Sequence, residues 1–518
     1  MKLSSREQAD AFLKVAHKFK LGVLPTEQRH PKTRDLARET REDLQTAIET
    51  IKQIDIGVIK DVMDKLPELK KLQAVMRDTL DEGGRIFFYG CGATGRLSLS
   101  IEYAWRFVHQ NNPDMANKVF GFMTGGDVAL VYAMESFEDF PAIGARHLHD
   151  MGFTENDLLV SCTEGGETPS VIGATEEAAK VSKRKPYYLY SNPDDLLIKH
   201  VERSRRVLEN PDIEKICLYV GPMAISGSTR LQSTTALQLG VGYALMCAAG
   251  ETDGLDLSQF IGFLQNTDFG FLEDFAIEES DVYERGDYML YETDIYGMTI
   301  LTDTTERAPT FSLQNFENRN DETPRPALAY IYMPDAKTPE QGWDKILLRQ
   351  PFSTDWPETL GLANTERLMG FDFSVNALQH RTDLVAPAKL ERFIITRDGG
   401  DMTFKLGPAS HSIDVSGLPP LLEQLFLKLL LNIHSALVMG RLKRIESNIM
   451  TWVKPSNNKL IDRAIRYIEA LLENDGITEF SYEDICYQLF EEREKMGPAD
   501  PIVLLTYEVL KKRHKKSA

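Results

Sequence analysis

Apolar residues recur at three- and four-residue spacing through 43–54 and 59–80, which predicts a helical segment over residues 1–80. The polar block LGVLPTEQRHPKT at 21–33 interrupts it and reads as irregular. From Arg85 the pattern changes to short apolar runs ending in small or polar residues: RIFFYG, KVFGFM, DLLVSCT, PYYLYSN and KICLYVG. A segment of helical length follows each run. Strands alternating with helices predict βαβ units, hence an α/β fold with a doubly wound parallel sheet covered on both faces. The alternation resumes with GMTILTD at 297–303, ALAYIYM at 327–333 and RFIITRD at 392–398, each expected to be a strand, and with an amphipathic helix near 418–446. Residues 316–325 and 335–345 read as surface loops, and 476–518 as helical with a solvated basic tail, KKRHKKSA.

Composition narrows the function. The 518 residues are 42% hydrophobic and 26% charged, the balance of a soluble globular protein of roughly three domains. A net charge of −19 opposes a nucleic-acid or membrane-surface partner. The charge is concentrated: residues 251–300 hold 13 acidic side chains and only Arg285 as a base, and 251–290 reads as an acidic connection. Five scattered cysteines (Cys91, Cys162, Cys217, Cys247 and Cys486) form no CxxC pair, which disfavours a disulfide framework or a zinc site and suits a reducing cytoplasm. The most apolar stretch, 237–250, falls short of the ~18 residues of a membrane span.

Three loops carry candidate chemistry. GCGATGR at 90–96 lies between a predicted strand and a helix, where glycines admit a ligand close to backbone N–H groups and the helix N-terminus favours an anion. TEGGET at 163–168 repeats that placement after another strand, so both loops can face one crevice at the carboxyl ends of the strands. GPMAISGSTR at 221–230 is dense in small and hydroxyl residues and leads into a third helix. His147 and His149 stand at i, i+2 on a predicted helix, the wrong spacing for joint metal ligation, and no metal or cofactor is expected.

These residues resemble the sugar isomerase (SIS) domain family, whose members bind phosphosugars. TEGGET is similar to the family's SQSGET phosphate loop and GCGATGRL to its first glycine loop. Within the family the resemblance is to the branch of the N-acetylmuramic acid 6-phosphate etherases and the glucokinase regulatory proteins. It is carried by LGVLPTEQRHPKTRDL (21–36), MTGGDVALVYAMESFEDF (123–140), SNPDD (191–195), VGPMAISGSTRLQ (220–232) and RLKRIESNIMTWVKPSNNKLIDRA (441–464). It implies two doubly wound SIS domains in tandem, at 81–250 and 291–475, an internal pseudo-dimer with helical additions at 1–80 and 476–518.

The resemblance also implies roles. Thr94, Thr163 and Thr168, with the backbone of Gly92, Gly95 and Gly166, would surround a phosphate. Gly165 stands where the family commonly has Ser, with Glu164 beside the gap. Glu135 matches the carboxylate that the etherases use as a base and the regulatory proteins keep as a sugar contact. The etherase acid position is occupied by Ala104, and Glu102, about 200° around the helix from it, should face away. Glu306 would reach the sugar from the second domain, and Arg444 would contact the phosphosugar. Six bases against two acids across 441–463 give a local +4 as an attractor for phosphate. The function the resemblance implies is phosphosugar binding by a sensor or regulator of carbohydrate metabolism, with a sugar kinase as the protein partner; an etherase-type lyase or a phosphosugar isomerase is the alternative.

Overall fold

The structure is a computed structural model that describes residues 3–19, 21–132, 134, 137–497 and 500–517. Five strands, β1 (Ile86–Gly90), β2 (Val119–Met123), β3 (Leu158–Cys162), β4 (Tyr187–Tyr190) and β5 (Glu214–Cys217), form a wholly parallel sheet in the order β2-β1-β3-β4-β5. These are the five apolar runs. They are nearly continuous rather than alternating because both sheet faces are covered. Phe87, Tyr89, Leu159 and Tyr188 point to one core, while Ile86, Phe88, Leu158 and Val160 point to a second core that runs on into the other half of the chain. The strand order reverses direction at β1 and β3, which places the loops after those two strands on either side of a crevice.

A second sheet contains β6 (Tyr288–Thr293), β7 (Ala329–Tyr332), β8 (Leu390–Asp398), β9 (Asp401–Leu406) and β10 (Ala409–Asp414), ordered β10-β9-β8-β6-β7. It departs from the expected parallel sheet. β7, β6 and β8 are parallel, but β9 and β10 fold back as antiparallel hairpins. Both turns have two residues, and Gly399 and Gly407 supply the positive φ that such turns require.

Three sequence expectations are corrected here. GMTILTD is not a strand but the start of helix Gly297–Phe311, so Asp303, Glu306 and Arg307 lie within a helix. Its first five residues are all buried, which erases the polar face that would have identified a helix. Residues 335–345 are mostly helix Pro339–Leu347, capped by the Thr338 hydroxyl. The acidic span 251–290 is not a mere connection: it holds helices Leu257–Asn266 and Leu272–Glu284 and begins β6.

Helix Pro420–Arg441 runs between the halves, packing against helices of both. It is the one helix among the described residues long and apolar enough to cross a membrane, and that apolar window is entirely buried in the protein. A strap from the second half also grips the first. Arg349 donates to Glu102, Asp127 and the Gly121 carbonyl, the Phe352 N–H donates to the Asp127 carboxylate while the Phe352 carbonyl accepts from the Asp127 N–H, and Trp356 Nε1 donates to Asp150.

Candidate functional site

The crevice at the carboxyl ends of β1 and β3 is a cavity of about 180 Å³. Five parts of the chain contribute to it. Cys91, Gly92 and Ala93 come from the loop after β1, and Glu164 and Thr168 from the loop after β3. Gly227, Ser228, Thr229 and Arg230 precede helix Gln232–Ala249. Glu306 comes from the second half, and Lys459 and Arg463 from helix Asn458–Asn474 near the end of the chain.

Local geometry explains the glycine-rich sequence. A Cβ at Gly90 would lie 2.3 Å from the Thr94 carbonyl carbon, so the strand can turn into helix Ala93–Val108 only with glycine there. Gly166, at φ +75°, takes the left-handed conformation that turns TEGGET back towards its helix.

Among the residues expected to hold a ligand, Gly92, Glu164, Thr168 and Glu306 line the cavity. Thr94 does not: its hydroxyl accepts from Cys91 N at 3.0 Å and donates to Cys91 O at 2.9 Å, closing its own loop. Gly95 packs against Met123, and the Thr163 hydroxyl lies 3.0 Å from that of Thr168, tying the two ends of the loop together. Gly166 makes the turn without lining the cavity. Arg444 is also elsewhere, stacked over Trp452 at 3.5 Å and donating to the Phe311 carbonyl. Glu135 lies outside the described residues. Ala104 is in the hydrophobic core, and the buried Glu102 faces Arg106 and Arg349 at 2.8 and 2.9 Å.

Ser228, Arg230, Lys459 and Arg463 were not among the assigned site residues, although each lies within a motif already singled out. The Ser228 hydroxyl is buried and has no hydrogen-bond partner among the described residues. Arg230 is aimed by Asp303 at 2.9 Å and by the Ser435 hydroxyl at 3.1 Å, while Lys428 holds the Arg230 carbonyl at 3.1 Å.

Ion pairs fix the walls. Glu306 meets Arg96 at 2.6 Å, which joins the second half to the helix after the first glycine loop. Lys459 meets Glu167 at 2.7 Å, and Arg203 pairs with the same carboxylate. Burial alone would raise the pKa of Glu167, but these two cations hold it well below the usual range. Arg463 and Arg466 likewise overcome the burial of Glu27 and hold its carboxyl at about 2. Glu164 differs: burial pushes its pKa up to about 7, Glu306 adds to the push, and its own N–H, Lys459 and the Thr234 hydroxyl pull less strongly the other way. Hydroxyls, backbone N–H groups and paired cations can hold a phosphate dianion without a net basic surface.

The first half matches known proteins. The model of the glucokinase regulatory protein N-terminal SIS domain matches residues 68–179. The N-acetylmuramic acid 6-phosphate etherase of Lactococcus lactis subsp. cremoris is 32% identical over 219 residues, which are 42% of this chain and 68% of that one. The etherase of the same name from Enterobacter sp. is 34% identical over 221 residues, again 42% of this chain and 68% of the relative. The solved structure of tagatose-6-phosphate ketose/aldose isomerase from Escherichia coli superposes with a TM-score of 0.38 at 14% identity, covering 80% of this chain and 97% of that one.

Proposed function

The chain belongs to the sugar isomerase (SIS) domain family, and from that premise we propose that it binds a phosphosugar, a hexose or amino-sugar 6-phosphate, in the cavity between its halves and acts as a sensor or regulator in carbohydrate metabolism. The observation that carries this reading is the convergence on one cavity of two glycine loops, the unpartnered Ser228 hydroxyl and the cations Arg230, Lys459 and Arg463. The phosphate sits by the loops and the sugar by Glu306. Because the cavity takes walls from both halves and from helix Asn458–Asn474, an occupant stabilises their closed arrangement, and that arrangement is what a partner would read.

Ala104 at the expected acid position supports a binding role over ether cleavage. Elimination needs a base beside the carbon acid and an acid for the departing oxygen, and Glu102 is committed to two arginines. The second reading, an etherase-type lyase, is favoured by the 32–34% identity to proteins of that name. Thermal-shift measurements with fructose 6-phosphate, N-acetylglucosamine 6-phosphate and N-acetylmuramic acid 6-phosphate, run beside a lactate-release assay, separate the two. Stabilisation without turnover supports the sensor. Lactate release that Glu135→Gln abolishes supports the lyase, and no response to any phosphosugar at millimolar concentration rejects both.

A further inference from the structure

We propose that Glu164 meets the ligand as a neutral carboxylic acid, donating its proton into the cavity, so that loading the phosphosugar takes up one proton from solution. This deepens the phosphosugar reading and rests on it.

The pairing of charges around the cavity singles out this carboxyl group. Glu306 is matched by Arg96, Glu167 by Lys459 and Arg203, Glu27 by Arg463 and Arg466, and Asp303 by Arg230 and Arg307. Among the described residues, Glu164 has no cation at ion-pair distance. Its carboxylate is met by its own backbone N–H and by the Thr234 hydroxyl, which donates to Oε1 at 3.2 Å from helix Gln232–Ala249. It is 8% exposed and lines the cavity. A buried carboxylate without a counter-charge relieves its desolvation by taking a proton.

The other groups that bear on it are Cys91 from the loop after β1, the buried Cys162 at the end of β3, Glu306 from helix Gly297–Phe311, Lys428 from helix Pro420–Arg441 and Lys459 from helix Asn458–Asn474, with Glu138 also on the cavity wall. The Cys91 thiol is itself raised by burial and is neutral. Lys459 is committed to Glu167, and Lys428 donates to the Arg230 and Leu231 carbonyls, Thr235 and Asn432. Burial and Glu306 already bring Glu164 to about 7. An arriving phosphate dianion adds negative charge to the same cavity and drives protonation further.

The chemistry suits the ligand. A carboxylate beside a phosphate only accepts hydrogen bonds and repels the dianion. A carboxylic acid offers one O–H donor as well as acceptor oxygens, which match phosphate oxygens or sugar hydroxyls. The step balances as a proton transfer: one O–H bond forms on the Glu164 carboxylate, one bond to hydrogen breaks in the buffer acid that supplies the proton, and the phosphate ester itself is unchanged.

Above pH 7 a phosphomonoester is already dianionic, because its second pKa is about 6, so proton uptake there reports the protein. Calorimetric titration of the full chain with fructose 6-phosphate from pH 7 to 9, in buffers of different ionisation enthalpy, measures it. Uptake should approach one proton at pH 8, and Kd should weaken by close to tenfold per pH unit towards pH 9. Glu164→Gln, which keeps shape and an acceptor for Thr234, should abolish the uptake and flatten the profile. A flat wild-type profile with binding intact overturns the proposal alone, as does an unchanged slope in Glu164→Gln. Absence of binding at every pH overturns the phosphosugar reading and this proposal with it.

Discussion

Lys459 Nζ lies 2.7 Å from Glu167 Oε1, across 292 positions of sequence. The contact seats helix Asn458–Asn474 on the loop after β3, so the lid of the cavity comes from the far end of the chain. Lys459 also lines the cavity, and one side chain therefore holds the lid and presents positive charge to a ligand.

Lys459→Ala leaves the buried Glu167 with Arg203 as its one ion-pair partner among the described residues. Phosphosugar affinity should fall at least tenfold, about 1.4 kcal/mol, and the melting temperature should drop. Lys454→Ala, at an exposed position nearby, should change neither. Isothermal calorimetry and thermal shift on the two variants check this.

Glu27 ties the N-terminal block to the same helix through Arg463 and Arg466. Its carboxyl is held at about 2, below the ordinary 4.5, so its contribution to stability is complete above the unfolded value and is lost as pH falls from about 4.5 towards 2. Glu27→Gln should be clearly less stable than wild type at pH 7, and the gap should narrow once the pH drops below 4.5. Melting curves of both proteins between pH 7 and 3.5 measure it, and a constant gap would reject the pairing as its cause.

Arg349 is the anchor of the strap between the halves, answering both Glu102 and Asp127 in a site where all three side chains are buried. Arg349→Ala leaves the buried Asp127 without its cation, while Glu102 keeps Arg106, and should cost about 3–5 kcal/mol. The double variant Asp127→Asn/Arg349→Met should recover part of that loss, because the buried charge goes with its partner and the Asn oxygen can still accept from the Phe352 N–H. Urea unfolding of the two proteins gives the comparison.

The first sheet was legible in the sequence because β1 to β4 are apolar on both faces, while the edge strand β5 (EKIC) is marked only by the apolar run that begins within it. The second was not, for two physical reasons. A helix buried all round, such as Gly297–Phe311, loses its period, and its β-branched start imitates a strand. The hairpins after β8 turn on the two-residue pairs at 399–400 and 407–408, a local signal outweighed by the βαβ alternation of the rest of the chain, which favours parallel strands. At the site, the loops and Glu306 were readable, whereas Thr94 and Thr163 show the weakness of residue type alone: their hydroxyls bond within their own loops. Lys459 and Arg463 sat in a recognised basic stretch, but a tertiary contact chose them over Arg444.

The most direct measurement is a crystal structure of the full chain with N-acetylglucosamine 6-phosphate bound. The phosphate should lie within hydrogen-bond distance of the Ser228 hydroxyl and the Gly92 loop, with the sugar facing Glu306 and Glu164. A phosphate bound outside this cavity, or a ligand held by one half without Glu306, would contradict it.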